Sequence, residues 1–123
     1  MMGSNSEANQ RRKAHLKGQL AEYLAAIYLM FKGYRIAHLR HKTKLGEIDI
    51  IARKGDLAIF VEVKARKDIQ TGVDAVSYAS QTRIKNASDL WLAKQKNPHL
   101  ISQRYDIIVM APWRWPIHFL DAF

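Results

Sequence analysis

The chain has 123 residues, a formal net charge of +9 at pH 7 and no cysteine. This length predicts one domain with one modest core, and the absence of cysteine excludes disulfides, thiolate metal sites and a cysteine nucleophile. No apolar run approaches the roughly 20 residues of a membrane span, and the N-terminus lacks the apolar region of a secretory signal, so we expect a cytoplasmic protein.

The first segment is predicted as a polar tail followed by a long helix. Residues 1–12 are expected to be a disordered basic tail, and residues 13–123 one domain. The chain from Ala14 to Lys32 predicts a helix that Gly33 ends as a C′ glycine. Its apolar residues recur at helical spacing: Leu16, Leu20, Leu24, Ile27 and Phe31.

The next segments are predicted as three strands. Residues 34–39 suit a short strand, "EIDIIAR" a second and "LAIFVEVKA" a third. The letters "KGD" between the last two are typical of a turn, so these two strands form a hairpin.

The second half predicts a crossover and two more strands. Residues 68–75 are expected to form a loop, and residues 76–96 an amphipathic helix. "YDIIVMA" suits a strand covered on both faces, and "WPIHFLDAF" an edge strand. The expected buried positions of the helix are Val76, Ile84, Ala87, Leu90 and Trp91. The order α-β-β-β-α-β-β therefore predicts a mixed sheet flanked by helices, with the fourth strand parallel to the third.

Basic residues concentrate in the first half of the chain. Fourteen of the twenty Lys and Arg residues lie at or before position 67, and Arg40, Lys42 and Lys44 precede Asp49 closely. Because a basic surface attracts polyanions, nucleic acid is the favoured partner. Charge that only keeps the protein in solution is the alternative. No helix with the Lys-rich face of a membrane-surface protein is evident.

Three charged residues interrupt the apolar hairpin. Alternation places Glu62 and Lys64 on one face of their strand, opposite Val61 and Val63. The turn lies midway between Asp49 and Glu62, so the two carboxylates are predicted to lie nearly opposite each other. Neighbouring carboxylates repel, and a divalent cation such as Mg²⁺ removes that repulsion. An ordinary ion pair at a strand end is the alternative.

Glu22 is the only charged residue between Lys17 and Lys32. At 100° per residue it shares a helix face with Gly18, Ala25 and Leu29. These small neighbours predict that this face approaches the sheet closely. An exposed glutamate on a solvated face is the alternative.

Together these residues resemble a known family. Asp49 followed by Glu62-Val63-Lys64 is similar to the D…E-x-K core of the PD-(D/E)XK nuclease superfamily, and within it to the YraN-like family of bacterial proteins. The similarity runs from about Gly18 to Phe123. It includes "GEID", "FVEVK", Glu22, Arg66, Gly72, Val76, Gln81, Ala87, Leu92, "RYD" and the closing "DAF".

The resemblance implies a restriction endonuclease-like αβββαβ core and a role for each matching residue. Asp49, Glu62 and the Val63 carbonyl would be ligands of Mg²⁺ or Mn²⁺, and Lys64 would act on the water or the phosphate. Glu22 would support the metal site, and Gln81 would add a polar contact. The chain departs from the family pattern at His41, where Asn is usual, and at Ser80, where Lys is often found.

Other residues give weaker signals. Glu47 is expected at the hairpin surface, Asp106 as a strand-end cap, and the five histidines show no paired spacing for zinc. Trp113 and Trp115 flank Arg114 and could stack on nucleobases, or form a hydrophobic lid over the core.

These observations favour a Mg²⁺-dependent nuclease that hydrolyses DNA and recognises branches, flaps or ends. Its nucleic-acid contacts are expected at Arg40, Lys42, Lys44, Arg66 and Gln81. A nucleic-acid-binding protein that keeps the fold without catalysis is the alternative, and a membrane-surface protein is a third. The small domain also leaves a homodimer open.

Overall fold

The computed structural model describes residues 2–66, 72 and 76–123, with side chains from residue 6 onward. The predicted loop over residues 68–75 lies outside the described residues, apart from residue 72. The elements, in chain order, are α1 (Met2–Phe31), β1 (Arg35–Lys42), β2 (Glu47–Lys54), β3 (Leu57–Ala65), α2 (Tyr78–Ala93), a short 3-10 helix (Pro98–Leu100), β4 (Ser102–Met110) and β5 (Ile117–Phe119).

The strands form one five-stranded mixed sheet in the order β1-β2-β3-β4-β5. The first three strands are antiparallel neighbours, β4 is parallel to β3, and β5 is antiparallel to β4. Because parallel neighbours need a crossover, α2 lies between β3 and β4 in the chain. The predicted β2–β3 hairpin, the parallel fourth strand and the edge position of the last strand are confirmed, although the last strand covers only Ile117–Phe119.

Helix α1 ends at a left-handed glycine. Gly33 has φ 95°, a conformation that costs a residue without a side chain little. Its N–H donates to the Met30 carbonyl, and the Tyr34 N–H donates to the Leu29 carbonyl. These two bonds define a Schellman motif, and they confirm Gly33 as the C′ residue.

The buried face of α1 is built from small residues. Ala21, Ala25, Ala26 and Leu29 are buried against the sheet, which confirms that the face next to Glu22 approaches it. Gly18 is an exception, since a Cβ added there would meet nothing within 4 Å. The large apolar residues at helical spacing point outward instead: Leu16, Leu20, Leu24, Ile27 and Phe31 are 44–88% exposed.

Helix α1 also begins earlier than predicted, at Met2 rather than near Ala14. Residues 6–13 of this extension are exposed, so they add no buried side chain to the core. The expected domain boundary at residue 13 stays a prediction.

Helix α2 covers the other face of the sheet. The Ser77 hydroxyl accepts from the Ser80 N–H as an N-cap. The buried residues include Ile84, Ala87, Ser88, Trp91 and Leu92, mostly at the three- and four-residue spacing of one helix face. The prediction that Leu90 is buried is wrong, because it lies off this face and is 40% exposed.

In the described part of the chain, the two larger clusters of buried side chains lie on opposite faces of the sheet. Under α1, Val61 and Val63 of β3 join Ile50 of β2. Under α2, Phe60 packs edge-on against Trp91 with ring centroids 5.8 Å apart. The two layers hold the β2–β3 hairpin rigidly, and with it the charged residues at the end of that hairpin.

Candidate active site

The site lies where the pairing of β2 with β3 stops. The last ladder pair at this end joins Ile50 to Val61. One residue further, the Asp49 side chain accepts a hydrogen bond from the Val63 N–H at 2.9 Å. The Asp49 carboxylate thus accepts from an N–H group that would pair with a backbone carbonyl of β2 if the ladder continued. This bond brings Asp49 beside Glu62 and Lys64.

The regular alternation of β2 breaks at Asp49. Ile48 and Ile51 both pack into the cluster under α2, whereas Ile50 packs into the cluster under α1. Across the strand pair, Arg40 adopts a left-handed conformation with φ 51°. Such irregularities re-aim side chains at sheet ends. Here the break coincides with Asp49, whose side chain bonds to the backbone of β3.

The two carboxylates of the site repel each other in a poorly solvated position. Burial is the largest cause that raises the pKa of Asp49 to about 8, and the negative charge of Glu62 is the second. The Val63 N–H and the Lys64 ammonium only partly oppose these effects. Burial also raises the pKa of Glu62. Two neighbouring carboxyl groups with raised pKa values are stabilised by a proton or a metal cation held between them.

Lys64 is the cation nearest to this pair. Its Nζ lies 3.1 Å from Glu62 Oε1, and the two side chains are only 21% and 14% exposed. Val61 and Val63 are buried under α1, on the side opposite Glu62 and Lys64, as alternation predicts. The Lys64 ammonium is therefore held beside the carboxylate pair by a short ion pair that is largely shielded from solvent.

Glu22 also belongs to this site. Its carboxylate, 19% exposed, forms an ion pair with the Arg40 guanidinium, so the alternative of a solvated glutamate is wrong. Its negative charge contributes to the raised pKa of Asp49. The pairing gives Arg40 a structural partner inside the protein, in addition to the phosphate contact predicted for it.

A cavity of about 460 Å³ opens onto these residues. One wall is the exposed end of α1 with Gly18 and Glu22, and the other is formed by Arg40, Asp49 and Glu62. On the side of α2, a smaller cavity is lined by Glu47, Glu62, Ser80, Arg83 and Ile84. Glu62 faces both, so the carboxylate pair lies at the junction of two clefts.

Gly46 fits the turn between β1 and β2 against α2. A Cβ at this position would lie 2.9 Å from the Arg83 carbonyl oxygen, closer than atoms pack. The glycine of "GEID" is therefore required by backbone contact, and it positions the strand that carries Asp49.

The remaining predicted contact residues occupy different surroundings. Lys42 and Lys44 are exposed, Lys42 lines the larger cavity, and Arg66 lines a cleft next to Lys64. The Gln81 side-chain amide donates to the Val76 carbonyl, so its contact is with the backbone before α2 rather than with the carboxylates. Ser80 and Arg83, which received no role from the sequence, line the smaller cavity together with Glu62.

The donor set is sparse. Among the described residues, no group of three or more His, Asp or Glu side chains forms a metal-binding cluster. Mg²⁺ is usually held by one or two carboxylates, with water and substrate phosphate as further ligands. Asp49 and Glu62 match that donor set. In a strand, the N–H and the carbonyl of one residue point to the same neighbouring strand. The Val63 N–H donates to Asp49 of β2, so the Val63 carbonyl also faces β2.

A second carboxylate network lies away from the site and was missed by the sequence interpretation. Asp106 is fully buried and accepts two bonds from Arg104, one from the Asp121 N–H and one from His118. The Arg104 guanidinium also donates to the Tyr34 hydroxyl. Asp106 therefore ties the chain end and the end of α1 to β4. The prediction of a strand-end cap is wrong, because β4 begins at Ser102 and Asp106 lies in its middle.

None of the helices formed by the described residues combines the length and apolarity needed to cross a bilayer.

Comparison with known proteins gives a consistent family match. A model described as "Uncharacterised protein family UPF0102" matches residues 21–110. A UPF0102 protein of Rhizobium johnstonii is 62% identical over 99% of this chain and 100% of its own length. A UPF0102 protein of Rhizobium etli is 61% identical with the same coverage, and one of Rhizobium meliloti is 55% identical over 93% of both chains.

Proposed function

We propose that this chain, which belongs to the UPF0102 family, is a metal-dependent nuclease of the PD-(D/E)XK type, with Asp49, Glu62 and Lys64 as its active site. The observation that carries the proposal is the pair of half-buried carboxylates beside a lysine at the end of the hairpin. The mixed sheet between helices supports the restriction endonuclease-like core. The YraN-like resemblance agrees with the family that is shown.

Asp49, Glu62 and the Val63 carbonyl would hold a Mg²⁺ or Mn²⁺ ion. When bound, such an ion polarises a phosphate and offsets its negative charge. Without a cation, Asp49 holds a proton near neutral pH, because its pKa is about 8. It must release that proton to act as a ligand. Metal affinity is therefore expected to rise as the pH approaches 8.

Lys64 would contact the phosphate that gains charge during hydrolysis. Its ammonium is a compact charge with three donors, fixed 3.1 Å from Glu62. A positioned donor of this kind is worth roughly 10²–10³ in rate. Glu22 would position Arg40 through their ion pair, so that the guanidinium faces the cavity.

The first experiment separates chemistry from binding. Wild type and Lys64→Ala are assayed on single-stranded, duplex, flapped and four-way DNA with Mn²⁺. We expect Lys64→Ala to lose roughly 10²–10³ in cleavage rate and to keep its affinity within a few-fold. Lys64→Arg should rescue only partly, since a planar guanidinium differs from an ammonium.

Lys54→Ala is the matched control. It removes the same charge from the other end of the hairpin, where the Lys54 ammonium donates to the Lys32 carbonyl. Its cleavage rate should stay close to that of wild type. Equal rates for Lys64→Ala and Lys54→Ala would show that the active site is assigned wrongly.

The second candidate is a nucleic-acid-binding protein without catalysis, and the net charge of +9 favours it. This second candidate is the better account if wild type cuts none of the four DNA substrates. In either case the double variant Lys42→Ala/Lys44→Ala should flatten the salt dependence of DNA affinity, since each lost phosphate contact lowers the log–log slope by about 0.9. An unchanged slope would move the binding face elsewhere.

The homodimer stays a prediction. The exposed apolar face of α1, formed by Leu16, Tyr23, Ile27 and Met30, is a surface that it would bury. Sedimentation equilibrium measures the mass of the particle in solution and decides between monomer and dimer.

A further inference from the structure

A groove leads away from the carboxylate pair along α1. The cavity of the active site shares Gly18 and Glu22 with a second cavity of about 270 Å³. Lys64 and Arg66 line that second cavity. A third cavity, of about 500 Å³, continues the path and shares Lys17, Ala21 and Ala65 with the second.

The far end of the groove carries an exposed tryptophan. Trp113 lines the third cavity and is fully exposed, and Trp115 is 86% exposed. The third tryptophan of the chain, Trp91, is 8% exposed and belongs to the core. The sequence left open whether Trp113 and Trp115 cover the core as a lid or stack on nucleobases. Their exposure excludes a lid over the core.

The backbone at Trp113 is strained. Its φ is 61°, a left-handed conformation that is a genuine outlier for a bulky residue. Pro112 and Pro116 stand on either side of this short turn and limit its other conformations. Strain of this kind is kept where surrounding structure or function requires it. The turn therefore presents a large aromatic ring to solvent in a fixed place.

The charge along the groove is positive beyond the carboxylates. Of the described residues that line the third cavity, Lys17 and Arg114 are the charged ones, and Arg66 lies between them and the active site. An aromatic ring with basic side chains along one track is how single strands are bound, with bases on the ring and phosphates on the cations.

We infer that this groove binds an unpaired segment of the substrate, with a base stacked on Trp113 and its phosphates near Lys17, Arg66 and Arg114. The inference rests on the proposed function and narrows its substrate class to nucleic acid with a single-stranded region beside the bond that is cut. A base inside a duplex is covered on both faces by its neighbours, so it offers no face to the ring.

The test measures binding without divalent ions, so it does not depend on cleavage. Fluorescence anisotropy gives the affinity for a labelled oligo(dT) and for a fully paired, blunt-ended DNA duplex. Stacking on an aromatic residue is worth about 5- to 150-fold in affinity. We expect Trp113→Ala to lose this factor on oligo(dT) and to bind the duplex within about twofold of wild type. Trp113→Phe should keep most of the affinity.

Phe31→Ala is the matched control. Phe31 is 88% exposed, at the end of α1 away from the groove, and its loss should change neither affinity. Equal affinity of Trp113→Ala and wild type for oligo(dT) would overturn the inference, as would an equal loss on both DNAs. A change in self-association of Trp113→Ala, without a change in DNA affinity, would also overturn it and assign the tryptophan to a second copy of the chain.

The two proposals fail separately. A selective loss of oligo(dT) affinity in a protein that cuts nothing would support the groove and reject the nuclease. Cleavage that is lost in Lys64→Ala, together with unchanged oligo(dT) binding in Trp113→Ala, would support the nuclease and reject the groove.

Discussion

Asp49 and Asp106 are carboxylates on strands of one sheet, but their surroundings are opposite. Asp106 accepts bonds from Arg104, His118 and a backbone N–H. These bonds outweigh the effect of burial and lower the pKa of Asp106 to about 2. Asp49 accepts one backbone N–H and faces Glu62, and its pKa is raised to about 8. The comparison separates a carboxylate whose charge the surrounding donors stabilise from one whose charged form is destabilised by burial and by a neighbouring carboxylate.

The two carboxylates contribute to stability with opposite signs. An unfolded aspartate has a pKa near 3.9. The depressed pKa of Asp106 stabilises the folded state above about pH 4, and this contribution is lost as the pH falls towards 2. The raised pKa of Asp49 means that the folded state binds more protons between about pH 4 and 8. Stability therefore falls across that window as the pH rises.

The largest effect is expected at Asp106. Asp106→Asn leaves the Arg104 guanidinium without its partner in a buried network, and breaking such a pair costs about 3–5 kcal/mol. Urea unfolding at pH 7 measures this loss, with Asp89→Asn on the exposed face of α2 as the control. A loss below about 1 kcal/mol would show that Asp106 does not hold the fold.

The opposite sign is expected at Asp49. Without divalent ions, Asp49→Asn should raise the free energy of unfolding at pH 8 by a few kcal/mol (at most about 5), because it removes a carboxyl whose charged form is destabilised by burial. The gain over wild type should shrink as the pH falls towards 4, since below about pH 4 the wild-type carboxyl is increasingly protonated in both states. Urea unfolding at several pH values tests this. A gain that stays constant with pH would contradict the raised pKa.

A smaller effect is expected where the backbone positions Asp49. In Gly46→Ala the new Cβ must move away from the Arg83 carbonyl oxygen at 2.9 Å, and such overpacking costs about 1–2 kcal/mol. Thermal unfolding measures the loss. If the variant and wild type have the same melting temperature, the turn at Gly46 does not pack against α2. That contact would then not explain the position of Asp49.

The smallest effect is expected in the wall of the groove. Gly18→Ala adds a methyl group that meets nothing within 4 Å, within a helix where alanine is more stable than glycine by about 1 kcal/mol. The variant should therefore melt higher than wild type. A lower melting temperature would mean that Gly18 is packed rather than open to the cavity.

The sequence predicted the hairpin well, since the residues of β3 match the predicted strand. Alternation and one turn fix which residues of a hairpin lie opposite each other, so the proximity of Asp49 and Glu62 follows from local pattern. The buried face of α1 was harder. Its large residues, such as Leu20, dominate the periodicity, but the closely approaching sheet accepts Ala21 and Ala25 instead.

The contacts that sequence could not predict join distant segments. The ion pair of Glu22 with Arg40 depends on how α1 crosses β1, and no local pattern encodes that crossing. The bonds from His118 and the Asp121 N–H to Asp106 depend on the return of β5 alongside β4. These partners become visible only when the strands are placed in one sheet.

Calorimetric titration with Mn²⁺ tests the central claim, that Asp49 and Glu62 form a cation site, most directly. Wild type at pH 8 is predicted to bind the ion, and Asp49→Asn and Glu62→Gln should each weaken binding at least about tenfold, since each removes one of two ligand charges. Asp89→Asn should bind as wild type does. Equal affinity in all four proteins would contradict the account.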